Sequence, residues 1–77
     1  MTVFDLKRGE SAEIVKITVD GGARARLSAL GVKEGAEIEI LSCSLFRSSV
    51  LLLVGAVRVG IRKGLATKIF VKTEGAE

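Results

Sequence analysis

Between Ala23 and Ile40 the apolar residues change their spacing, and that change most narrows the folds open to this chain. Ala23, Leu27 and Leu30 fall at i, i+4 and i+7, one face of a short helix that must bury that face against another layer. Gly31 follows the last of them, where a helix C-terminus commonly turns left-handed, a conformation cheap for glycine and costly for a residue with a Cβ. Val32-Lys33-Glu34-Gly35 reads as a turn whose glycine takes a second unusual dihedral. From Glu37 the period drops to two, with Ile38 and Ile40 on one face and Glu37 and Glu39 on the other, as in a half-buried strand. The helix is thus expected over residues 23–30, as a lid on a sheet.

The rest of the chain alternates in short runs. Residues 13–19 are expected as a first strand with Val15, Ile17 and Val19 inward and Lys16 and Thr18 outward. Asp20-Gly21-Gly22 breaks it, the aspartate placed to accept hydrogen bonds from the first free amides of the helix. After the strand over 37–42 and a polar connection carrying Leu45 and Phe46, strands are expected over 50–54 and 56–62. A short turn, Lys63-Gly64-Leu65-Ala66, read as 3₁₀, leads to a last strand over 67–72 with Ile69 and Val71 inward, and residues 73–77 read as a frayed tail. Five short antiparallel strands with one helix between the first and second predict a small closed sheet, because closure removes exposed edges; an SH3-like barrel fits best.

Composition sets the limits. Seventy-seven residues make one domain, residues 1–77, near the size below which a core needs disulfides or metal. The apolar fraction of 48% against 27% charged residues is that of a folded domain. A lone Cys43 forms no internal disulfide and no secretory leader pattern precedes the first strand, so a cytoplasmic location is expected. No apolar run approaches the ~20 residues of a membrane-spanning helix. The net charge of +3 is spread among interleaved acids, and with no Trp or Tyr there is no stacking platform for single strands, which argues against nucleic acid.

Three motifs in order carry a family resemblance. The run from Arg26 to Ile40, RLSALGVKEGAEIEI, resembles the core signature of the FeoA family, in which a Leu-Gly pair closes a helix and a glycine opens the next strand. Leu6-Lys7-Arg8-Gly9-Glu10 resembles its opening Leu-x-x-Gly, and residues 59–66 followed by Ile69-Phe70-Val71 resemble its closing strand, turn and last strand. Leu27, Leu30, Gly31, Gly35 and Ala66 are the structural positions of that signature. The resemblance implies the same SH3-like barrel. It also implies an accessory protein without catalysis that binds the cytosolic G domain of the FeoB membrane GTPase transporter and modulates ferrous iron uptake. SH3-like domains of metal-dependent transcriptional repressors resemble the chain as well, but such a repressor needs a helix-turn-helix that this length does not accommodate. The sequence departs from the family at the loop before the third strand, where members carry a Pro-Leu pair and a further proline and this chain reads Leu45-Phe46 and Ser49.

The chemistry available agrees with a binding role. Histidine is absent, removing the commonest general base and metal ligand, and no serine has an evident base in a motif. Cys43, Asp20, Glu37 and Glu39 would give at most a weak, exposed site for a divalent ion such as iron, so no cofactor is required and a weak metal carrier is the third reading. The glycines are scattered and no Gly-Lys-Ser/Thr run follows a strand, which excludes a phosphate cradle.

In Val50-Leu51-Leu52-Leu53-Val54 both strand faces are apolar. With Val50, Leu52 and Val54 inward, Leu51 and Leu53 point outward, as do Leu41 and Phe70. Either the helix or the loop over 43–49 covers them, or they form a contact surface for the transporter or for a second copy. By helical angle Arg24 and Ser28 face solvent and Arg26 flanks the buried face; both arginines are expected to steer an acidic partner.

Overall fold

Five alternating runs form one antiparallel sheet: β1 (Ser11–Ile17), β2 (Glu37–Cys43), β3 (Ser49–Val54), β4 (Val57–Arg62) and β5 (Ile69–Thr73), in the spatial order β4-β3-β2-β1-β5. Helix α1 (Gly21–Ala29) joins β1 to β2, one-turn helix α2 (Lys63–Ala66) joins β4 to β5, and a 3₁₀ turn, Val3–Asp5, precedes β1. This computed structural model describes residues 1–19, 21–43 and 48–73. The expected cap Asp20, the loop pair Leu45 and Phe46, and the tail lie outside those residues. The mainly β architecture with a helix between the first two strands is the one that the alternation predicts. The turn over 63–66 is α-helical rather than 3₁₀, since the Thr67 amide reaches back to the Lys63 carbonyl at 3.0 Å.

The strand phases of β2, β3 and β4 follow the sequence. Ile38 and Ile40, Val50, Leu52 and Val54, and Val59 and Ile61 are buried, with their neighbours turned out; Val57, in phase with Val59 and Ile61, is 45% exposed because it follows the turn at the end of the sheet. β1 departs from expectation: it starts at Ser11, buries Ala12, Ile14 and Ile17, and leaves Val15 46% exposed. A β-bulge between Ile14 and Lys16 is the cause, because an extra residue in one strand lets Ile14 and Ile17 both point inward at a spacing that plain alternation forbids. A second bulge lies between Ile40 and Ser42. Together the two increase the local bend and twist of the sheet around one core.

The helix stop is a Schellman reversal. The Val32 amide donates to the Leu27 carbonyl at 2.8 Å and the Gly31 amide to that of Ser28 at 2.9 Å, the two bonds that cap the last turn when the residue between is left-handed. Gly31 sits at φ +93° and Gly35 at +92°, as expected. Leu27 and Val32, on either side of the reversal, are both buried. Space is short as well as φ, for a Cβ on Gly31 would stand 3.3 Å from Val54 Cγ1. At this same end of β3, directly after Val54, Gly55 at φ +61° opens the two-residue turn that closes on the Val54–Val57 pair.

These positions predict that Gly31→Val lowers stability by about 1–2 kcal/mol, from forcing a β-branched residue to positive φ. For a domain this small that is a fall in Tm of about 4–8 °C per kcal/mol, read by thermal melts. Gly64→Ala, where an added Cβ meets nothing within 4 Å, is the control and should not lower Tm. An unchanged Tm for Gly31→Val would show that the left-handed stop is dispensable.

Candidate partner-binding surface

Antiparallel pairing sets side chains of neighbouring strands opposite one another on each face, so the register shows what flanks Leu51 and Leu53. Leu53 stands between Glu39 of β2 and Arg58 of β4, and Leu51 between Ser42 and Gly60. Both leucines are half-buried on the outer face, as is Leu41 of β2. They form an apolar step with an acid on one side and a base on the other. The outward phase expected for them is therefore found. α1 lies on the alternate side, with Val59 and Ile61, and does not cover them.

The two helix arginines do different things. Arg24 is not the solvent-facing cation that the helical angle suggests. Its Nη1 donates to the Ile17 carbonyl at 2.9 Å and its Nη2 lies 3.3 Å from Glu34 Oε2. The same carboxylate oxygen accepts the Ile17 amide at 3.3 Å. β2 leaves β1 at Glu13, and the next polar groups on that edge, the amide and carbonyl of Ile14, are taken by Ala36 and Gly35 of the turn. Arg24 and Glu34 satisfy Ile17 beyond them, standing in for a missing strand. This explains a cation in the unfavourable first half of a helix. Hydrogen bonding from Ile17, then from Arg24, holds the Glu34 carboxyl below its ordinary pKa of 4.5.

Arg26 is exposed on the other side of the helix, where a groove of about 570 Å³ separates α1 from β4 and α2. Ala23, Leu27, Leu30, Val59, Ile61 and Leu65 give it an apolar lining, and Arg26 and Arg62 are its charged residues. The heptad-like spacing did put Ala23, Leu27 and Leu30 on one face. That face, however, is not filled: Leu27 is buried, Ala23 half-buried and Leu30 41% exposed, against the expectation that all three pack inward. The groove was not read from the sequence, since its walls on α1, β4 and α2 are distant in the chain and meet only in the fold.

The remaining expected site residues are not brought together. Phe70, 37% exposed, is on β5 at the far edge of the sheet, paired with Lys16 and bridged to Thr2. Ala66, the last residue of α2, is fully buried, a structural position as expected. Cys43 is half-buried against the core at the end of β2, and among the described residues no three of Cys, Asp and Glu gather as a metal site. No helix among them is long and apolar enough to cross a membrane.

The FeoA domain model matches residues 1–73. The chain belongs to the FeoA family. Among solved structures, the FeoA protein of Chlorobium tepidum superposes with a TM-score of 0.93 at 23% identity, over 100% of this chain and 73% of that one. Iron(II) transport protein A of Clostridium thermocellum gives 0.91 at 28% identity, over 97% of this chain; this chain spans 46% of that one. FeoA of Stenotrophomonas maltophilia complexed with zinc, described as a prokaryotic SH3 domain protein, gives 0.75 at 28% identity over 94% of this chain and 89% of that one. The SH3-like fold also recurs in a manganese-dependent transcriptional repressor, at 14% identity and a TM-score of 0.82 over 94% of this chain and 40% of that one, a likeness of fold alone. No protein of curated function matches the sequence.

The Arg24–Glu34 tie of this FeoA chain makes a pH-dependent contribution of known sign. A carboxyl whose pKa is lowered by folding adds stability that is present above its unfolded value, here 4.5, and lost as pH falls through the lower folded value. In an NMR acid titration the Ile17 amide should shift together with the Glu34 carboxyl, with a midpoint below 4.5. Glu34→Gln should abolish that coupled shift and speed amide exchange in α1. An Ile17 amide that ignores the Glu34 titration would show the tie is absent in solution.

Proposed function

We propose that this FeoA-family chain is a non-catalytic accessory module of ferrous iron uptake that binds the cytosolic G domain of a FeoB-like membrane GTPase and modulates transport. The single observation that carries the reading is the family match over residues 1–73. Its relatives support it: one is an iron(II) transport protein, and the Stenotrophomonas protein is described as a possible ferrous iron transport activating factor. The half-buried leucines on β3 supply the physical means, since apolar side chains set beside an acid and a base offer both burial and orientation to a partner. Arg26, the helix arginine that α1 leaves exposed, adds steering toward an acidic surface, an effect that weakens as salt rises.

Titration of the purified G domain, in each nucleotide state and at low and high ionic strength, tests the proposal. Wild type should bind in at least one nucleotide state. Leu51→Lys should weaken the complex at both salt concentrations, while Arg26→Glu should slow association chiefly at low salt. Leu51→Lys must keep the wild-type far-ultraviolet circular dichroism, since residue 51 is on the outer face. Absence of binding in every nucleotide state would remove the transporter reading; equal binding by all three proteins would remove this surface from it.

A further inference from the structure

The free side of β4 is a feature of the fold that the transporter reading does not use. β4 is hydrogen-bonded to β3 along one side, and no backbone bond joins its other side to any described residue. An unpaired strand edge is a template for another strand. This one runs beside the groove whose far wall is α1, so a segment pairing with it would have somewhere to place every second side chain. Gly60, at the middle of the strand, is exposed, and a Cβ there would meet nothing within 4 Å, so no side chain shields the backbone. The charge beside the edge is of one sign. Arg62 and Arg26 flank the groove and no acid lines it, while Arg58 and Arg62 lie four residues apart on the outer face of the strand, both exposed.

We propose that β4 accepts an extended segment of a partner protein as a sixth strand, one that presents apolar side chains to the α1 groove and acidic ones, four residues apart, to Arg58 and Arg62. Main-chain bonds supply affinity and the alternate side chains supply selection. Opposite charges on facing strands contribute, and like charges directly opposite oppose pairing. That last rule disfavours a second copy of this chain as the occupant: a two-fold pairing about Gly60 sets Arg58 against Arg62 of the other copy. Edge arginines therefore act both as a barrier to self-association and as a filter for acidic segments.

The test uses acetyl-Thr-Glu-Val-Thr-Val-Glu-Val-Thr-amide, which has glutamates four apart on one face and valines on the other, titrated into ¹⁵N-labelled protein. Shift changes are expected in residues 57–62 and 21–30. Two forms of the peptide, each N-methylated at one of the two alternating sets of amides, distinguish strand addition from mere groove filling. Only one set faces β4, so one form should lose binding about tenfold and the other should keep it. Arg58→Glu with Arg62→Glu should weaken the acidic peptide about tenfold and accept its lysine counterpart instead. Leu30→Asp, at an exposed position, should weaken both peptides without loss of spectral dispersion. Equal affinity of the two N-methylated forms overturns the proposal. So do shift changes confined to Leu51 and Leu53, or a β4–β4 dimer in sedimentation that excludes the peptide.

Discussion

The left-handed reversal at Gly31 is the constraint on which the helix side of the molecule depends. Two backbone bonds close it, Leu27 and Val32 anchor it in the core on either side, and Val54 crowds the place a Cβ would take. Because the chain turns there, the following residues run back along β1. Gly35 and Ala36 then reach Ile14, and Glu34 reaches Ile17 together with Arg24. One dihedral available at little cost only to glycine thus decides where α1 ends, where β2 begins and how the unpaired end of β1 is satisfied.

The polar residues then sort the surface. An apolar step on β3 and an apolar groove under α1 lie on alternate sides of the same strand pair, joined by the tight Gly55 turn. Glu39 and Arg58 border the step, whereas only arginines border the groove. The two surfaces therefore favour different partners: a mixed-charge apolar face for the first and an acidic chain for the second.

Sequence reading reached the fold through the period of two in β2, β3 and β4, where every inward apolar residue except Val57 is buried, and through Gly31 and Gly35, whose need for positive φ has a local cause. It failed at Val15 because a bulge is a property of the pairing with β5 and leaves no trace in a run of β-branched residues. It placed Leu30 on the correct helix face, but spacing does not reveal how far a helix stands from its sheet. Arg24 was read as a surface cation because its partners, Ile17 and Glu34, come from either side of the helix in the chain and meet only in the folded state. The outward phase of Leu51 and Leu53 was legible; the free edge beside Gly60 was not, since an edge is defined by topology.

α1 is fastened by few things. Of its side chains only Leu27 is fully in the core, a burial that contributes about 1.5–3 kcal/mol. The rest of its attachment is half-buried Ala23, a half-exposed arginine and the cap at Gly31, while the strands beneath are held by backbone ladders along their length. Local opening free energies follow such differences, so α1 is expected to open at a lower free energy than the paired strands. For a groove with such a wall, tolerance of bulky or slender side chains would come from thin packing on one side, with the sheet unchanged.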